Sequence, residues 1–173
     1  MPRLCVVCGR ELTLRERHIC VGCLAQLPLT RFWNQDRNAM ADKLNALIQK
    51  DLRDCCFEAD AKACALFYYG KGSPYANITP QLKYLRHVEM VRFFAAMLGR
   101  RLCACPEFAD VDMVIPVPLH PLRRWKRGYN QAEIIAEELV SVYALRPDGF
   151  VPVLRTDILR RVPNTGPQTA LSG

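Results

Sequence analysis

Cys5, Cys8, Cys20 and Cys23 form two C-x-x-C pairs, Cys5-Val6-Val7-Cys8 and Cys20-Val21-Gly22-Cys23. Four thiolates at this spacing can converge on one tetrahedral zinc ion, because each pair puts two sulfurs on one side of the metal. The eleven residues between the pairs must form a hairpin that carries the second pair back to face the first. Gly9, directly after Cys8, suits the left-handed turn of a metal knuckle. The competing chemistry for such pairs is a disulfide or redox segment. A thioredoxin-like motif needs a βαβ unit beside its first pair, and none is legible here. His18 could replace a cysteine, but beside a complete set of four an exposed or outer-sphere place fits it better.

The other five cysteines, Cys55, Cys56, Cys64, Cys103 and Cys105, have no metal-like pairing and read as buried free thiols. The cysteine count is odd, no secretory leader is recognisable, and no apolar run is long enough to span a bilayer. These features point to a cytoplasmic protein rather than an oxidised extracellular scaffold. A chain of 173 residues, half of them hydrophobic, has material for one small domain and a satellite. The formal net charge of +7 favours polyanionic partners such as nucleic acid, nucleotides or phosphorylated small molecules. Much of that charge lies in two groups, Arg123, Arg124, Lys126 and Arg127, and Arg155, Arg160 and Arg161.

The first basic group lies in the second informative stretch. Val114-Ile115-Pro116-Val117-Pro118-Leu119-His120-Pro121 reads as an apolar strand entering a proline-stiffened turn. A basic loop to Lys126 follows, then Arg127-Gly128-Tyr129-Asn130-Gln131 and a helix. In α/β sheets ligands collect at the carboxyl ends of strands, near the free N–H groups of the next helix. Gly128 permits close backbone approach to an anion, Lys126 and Arg127 supply charge, and Asn130 sits where an N-cap belongs. The pattern leaves open an ordinary βα connection with a solvated basic loop.

The elements that must position these residues follow from periodicity and punctuation. Residues 24–28 read as a helical turn stopped by Pro28, and 32–36 as a linker. Asn38 should cap a helix to about Lys50, with Met40, Leu44, Leu47 and Ile48 on one face. Residues 63–69 read as a strand ended by Gly70-Lys71-Gly72-Ser73-Pro74. Helices are expected over about 77–87 and about 89–102, the latter burying Val91, Phe94, Ala95 and Leu98. Strands are expected over 112–118 and 151–154. The helix between them, 129–143, should bury Ile135, Leu139 and Val142, with Ile134 beside them. The polar tail from Arg160 onward reads as a loop.

The cysteine module, the Leu82-Lys83-Tyr84 helix and the run P-V-P-L-H…R-G-Y-N-Q-A-E together resemble the ComF/GntX family. Arg155 and the stretch Thr165-Gly166-Pro167-Gln168-Thr169-Ala170-Leu171-Ser172 are similar to that family's R…T-x-x-Q-x-x-L-S pattern. The likeness covers essentially the whole chain. It implies an α/β, type I phosphoribosyltransferase-like domain over residues 31–173, with an N-terminal zinc ribbon over 1–30. It also implies a role in natural competence and the handling of incoming single-stranded DNA, with competence or DNA-processing proteins as partners. As an enzyme, such a protein would use Mg2+ with phosphoribosyl pyrophosphate. Lys126, Arg127 and the amides near Gly128 would meet the pyrophosphate. Tyr129, Asn130 and Gln131 would shape that loop, and Arg155 and Arg160 would belong to a flexible loop closing over the site.

One departure is large. The family's second signature is an apolar strand, two adjacent acidic residues and a Thr/Gly-rich loop that holds the ribose 5-phosphate. No such element is present, and the one adjacent acidic pair, Glu137-Glu138, lies mid-helix. The expectation is therefore of a domain truncated before that loop, and of a chain that does not turn over phosphoribosyl pyrophosphate by itself. The rival reading is a zinc-containing module that binds single-stranded DNA or docks on a protein without catalysis. Trp125 and Tyr129 would then stack on bases, unless they pack inside.

Overall fold

Gly99 lets two helices meet closely. It lies in α4 (Val88–Cys103), and a Cβ there would stand 3.2 Å from both Leu139 and Val142 of α7 (Gln131–Tyr143). The computed structural model describes residues 2–51, 59–84 and 87–161, apart from the side chains of Tyr84 and Lys126. Among these residues α4 against α7 is the most extensive pairing of elements. α4 buries Met90, Val91, Phe94, Ala95, Ala96, Gly99 and Leu102, close to the face expected, with Leu98 half-buried. Glu89 in its first turn and Arg100 and Arg101 in its last complement the helix dipole. On α7 the buried residues are Ala136, Val142 and Tyr143, while Ile134, Ile135 and Leu139 are only half-buried. Asn130 caps α7, as expected, by accepting the Ala132 N–H at 3.2 Å.

Five further helices complete the described part. α1 is Val21–Ala25, α2 Ala39–Asp51, α3 Ile78–Tyr84, α5 Pro106–Ala109 and α6 Pro121–Arg127. A 3-10 turn, Phe32–Asn34, stands where a linker was expected, and it buries Trp33 beneath the Arg101 guanidinium, 5.3 Å from the ring centre. Another, Pro74–Asn77, leads into α3, the Leu82-Lys83 helix of the family resemblance. Residues 85–86, at the C-terminal end of the expected helix, lie outside the described part, as do Cys55 and Cys56.

Three expectations need correcting. On α2 the apolar face of Met40, Leu44 and Leu47 is exposed rather than packed in the core, and only Ala41 is buried. Polar bonds hold that helix instead. Asn38 donates to the Ala63 carbonyl, Asn45 exchanges bonds with Ala61, and Gln49 accepts the Ala59 N–H. The predicted strand over 63–69 is extended chain with a single antiparallel bridge, Leu29 to Phe67, because its partner at 28–30 offers too short a run. The predicted basic loop over 122–126 is helix α6. His120 caps it through Nδ1, Pro121 occupies its first position, and Gly128 ends it at φ 81°.

Among the described residues the sheet consists of β1 (Met113–Val114) and β2 (Val153–Leu154), paired in parallel with Met113 opposite Val153. α7 lies between them in sequence and packs on β2, a right-sized crossover for parallel strands. Residues alternate along both extended segments. Pro116 and Pro152 are buried and Val114 and Leu154 half-buried, while Met113, Ile115, Val117, Val151 and Val153 are exposed. One core continues from the knuckles (Cys5, Val6, Val7, Leu12, Ile19, Cys20) through Trp33 and Leu66 to Phe94 and Tyr143. No helix of the described residues is long and apolar enough to cross a membrane.

Candidate metal centre and basic surface

The first knuckle closes on itself. The Cys5 N–H donates to the Arg10 carbonyl at 2.8 Å and the Gly9 N–H to the Cys5 carbonyl at 2.9 Å, with Gly9 at φ 73° as expected. An antiparallel bridge between Leu4 and Glu11 makes this turn the tip of a tiny hairpin. The second pair straddles the start of α1, with Cys20 as N-cap and its sulfur accepting the Cys23 N–H at 3.4 Å. The Val6 N–H donates to the His18 carbonyl at 3.0 Å, and the Cys20 N–H reaches the Cys5 sulfur at 3.4 Å. These bonds bring the two pairs face to face.

All four sulfurs lie within 4.8 Å of one another. A tetrahedral ion with metal–sulfur bonds near 2.3 Å requires sulfurs about 3.8 Å apart. Cys8 and Cys20 stand at 3.8 Å. The four cysteines therefore form a cluster that can hold one metal ion, and its geometry suits zinc. Local N–H groups prepare the sulfurs for the thiolate form. The Cys23 N–H, then the Arg10 side chain, hold the Cys20 thiol down at about 6. Burial raises Cys5, but the N–H groups of Cys8, Cys20 and Val7 outweigh it and leave the thiol lowered. Cys23 is pushed up, by burial first and then by its three sulfur neighbours, a crowding of negative charge that a cation would relieve. His18 is not in the cluster. It is partly buried, meets Phe93 edge-on at 5.6 Å, and burial lowers its pKa.

Of the other described thiols, Cys105 is buried and donates to the Trp33 carbonyl, while Cys64 and Cys103 are half-buried and raised by burial.

The residues expected to bind phosphate sit on and after α6. Arg124 pairs with Glu133 at 3.0 Å, and Arg127 donates to Gln131 Oε1 at 3.2 Å. Tyr129 and Gln131 both donate to the Leu82 carbonyl of α3, at 2.6 and 3.2 Å. Asn130 donates to the Val117 carbonyl at 3.1 Å. Tyr129, Asn130 and Gln131 thus shape the turn by tying it to α3 and to the segment after β1. Gly128 serves α6 as its left-handed cap, its N–H donating to the Arg124 carbonyl at 2.7 Å. Trp125 is 81% exposed. Arg155 forms a two-pronged pair with Asp157 at 2.8 Å, and that pair holds the Asp157 carboxyl down at about 2.

A hollow of about 350 Å³ lies beyond the carboxyl ends of both strands. It is lined by Pro118, Leu119, Pro121, Leu159, Arg160 and Arg161. Pro121, at the start of α6, and Arg160 and Arg161 of the second basic group thus border the same hollow. Sequence reasoning named Arg160 but missed the apolar walls. The alternating prolines of 116–121 were the available signal. Glu137 and Glu138 are engaged elsewhere, both paired with Arg92 of α4, at 2.9 and 3.4 Å.

No family model matches this chain, and no solved structure matches it. The chain spans 57% of the length of the curated relative it matches. At 29% identity over 172 residues, 97% of this chain, it is similar to Competence protein F of Haemophilus influenzae, which bears out the resemblance to the ComF family read from the sequence.

Proposed function

We propose that this chain is a ComF-type protein acting in competence, in which a zinc-holding knuckle pair (residues 1–30) is joined to a phosphoribosyltransferase-type α/β unit (31–173). Its basic strand-end surface binds phosphate groups. The observation that carries the phosphate reading is the hollow beyond β1 and β2, with Arg160 and Arg161 in its wall and α6 beginning at its edge. In this reading Lys126, Arg127 and the turn from Gly128 to Gln131 serve the pyrophosphate, and Arg155 and Arg160 belong to the loop that closes over it. The ligand is phosphoribosyl pyrophosphate or another nucleotide-like molecule, taken with Mg2+. Catalysis of phosphoribosyl transfer is a property of the longer protein type, to which this chain supplies the pyrophosphate side.

A second reading has its own support. Trp125 stands out from a helix that also carries Arg123, Arg124, Lys126 and Arg127, and this suits single-stranded DNA, with charge on the backbone and an aromatic face for a base.

Equilibrium binding separates the two. Phosphoribosyl pyrophosphate and a labelled single-stranded oligonucleotide are each titrated over a salt series, with and without Mg2+. A nucleotide-like ligand should require Mg2+ and lose affinity when Arg160 is replaced by Ala. DNA should bind without Mg2+, weaken steeply with salt, and lose affinity when Trp125 is replaced by Ala. Failure of both ligands to bind at low salt would reject the phosphate reading.

A further inference from the structure

Glu16 stands between the two cysteine pairs with its side chain only 7% exposed. Its Oε1 accepts the Arg10 guanidinium at 2.5 Å and the Val21 N–H at 2.7 Å, and its Oε2 accepts the Thr13 N–H at 2.8 Å. Arg10 closes the first knuckle, since its carbonyl takes the Cys5 N–H. Val21 opens the helical turn that carries Cys20 and Cys23. One carboxylate thus spans both halves of the cluster. The guanidinium it holds stands near the Cys20 sulfur and favours its thiolate form. Arg3 braces the same loop from outside, donating to the Thr13 carbonyl at 2.9 Å and the Glu16 carbonyl at 3.3 Å.

A buried carboxylate is unfavourable unless its oxygens are hydrogen-bonded. Its three donors, one of them cationic, offset that cost and give the residue a role no apolar residue could fill. Four thiolates around a divalent cation leave a net charge of about −2, and a guanidinium beside one sulfur draws electron density from it. A sulfur so engaged is less readily protonated off the metal, and the cation offsets the excess negative charge of the centre.

We propose that Glu16 is a positioning residue of the metal centre: it fixes Arg10 against the Cys20 sulfur and holds the two knuckles at the separation one tetrahedral ion requires. The proposal rests on reading the four cysteines as a zinc site. It adds that metal retention is set by a carboxylate–guanidinium pair outside the ligand set.

The test uses the full chain and the variants Glu16→Gln, Arg10→Gln, Arg10→Lys and the Glu16→Gln/Arg10→Gln double. Zinc content is measured by elemental analysis, and release by transfer to a chromogenic chelator. Each Gln variant should release zinc about tenfold faster or more, in line with losses typical of outer-sphere partners. The double variant should be no worse than the worse single, because both changes break one clamp. After cobalt substitution the sulfur-to-metal charge-transfer band should move to lower energy in both Gln variants and return toward the wild-type position in Arg10→Lys. Arg10 is half-exposed, so if Glu16→Gln does not fold, the two Arg10 variants decide. Wild-type chain that holds one zinc, with release and band unchanged in the variants, overturns the clamp and leaves the zinc site standing. Faster release with an unmoved band reduces Glu16 to a scaffold and also overturns it. Wild-type chain that holds no metal removes the zinc reading itself.

Discussion

Replacing Asn130 by Ala should destabilise the chain by an amount the structure lets us divide in two. Asn130 is 4% exposed, and both ends of its amide are engaged. Its Oδ1 caps α7 through the Ala132 N–H, and its Nδ2 holds the Val117 carbonyl in the segment after β1. Loss of an N-cap costs about 1 kcal/mol, and loss of one intramolecular hydrogen bond about 1 more. For a chain of this size each kcal/mol moves the melting temperature by roughly 2–4 °C, so Asn130→Ala should melt about 4–8 °C below the parent. Asn130→Ser keeps a capping oxygen but cannot reach Val117, and should lose roughly half as much. Thermal denaturation followed by circular dichroism reads both values. An Ala variant that melts with the parent would refute the argument, and so would a Ser variant as costly as Ala. If Asn130 instead serves a ligand, affinity should fall while the melting temperature holds.

Three further outcomes are expected. Purified chain should carry one zinc, and chelation should lower the melting temperature of the whole molecule, because Cys5 and Cys20 belong to the same core as Phe94 and Tyr143; titration of zinc against calorimetric melting checks this. Burial pushes Tyr143 up to about 12, while an unfolded tyrosine titrates near 10. The folded chain therefore holds a proton that the unfolded chain has lost, so this stabilisation is complete below pH 10 and declines from about 10 to 12; Tyr143→Phe should show a shallower alkaline fall in melting temperature. Finally, replacing Trp125 by Ala should weaken single-stranded DNA binding by about 1–3 kcal/mol if its ring stacks on a base, and should leave stability unchanged, as fluorescence anisotropy and melting would show.

The cysteine cluster was legible because its information is local. Two spacings and one left-handed glycine specify the knuckles almost without reference to the rest of the chain. α4 and α7 were legible because each repeats its apolar stripe over several turns. α6 was misread as a loop because Arg-Arg-Trp-Lys-Arg carries no stripe. Its signal was at the ends, with His120 and Pro121 at the start and Gly128 at the stop, the asymmetry that brackets a helix. The orientation of α2 could not come from hydrophobic periodicity, since Asn38, Asn45 and Gln49 fix it through backbone partners up to 25 residues away. Glu16 escaped notice for a similar reason. It is one of two acidic residues between the cysteine pairs, and nothing in the sequence separates it from Glu11 until the fold shows which one is buried.

The exposed row on the sheet bears on how the molecule behaves in bulk solution. Met113, Ile115, Val117, Val151 and Val153 present an apolar surface beside strand edges that no other described strand pairs, a combination that invites copies to adhere. A net charge of +7 keeps those copies apart by long-range repulsion. Salt removes that protection, since screening at 0.15 M confines the repulsion to about 8 Å. Sulfate and phosphate add to the effect by strengthening apolar attraction. Colloidal stability should accordingly fall as ionic strength rises, and light scattering should grow fastest in sulfate. A salt series meant to probe nucleic-acid binding will also change the state of association, so the two must be read on the same samples.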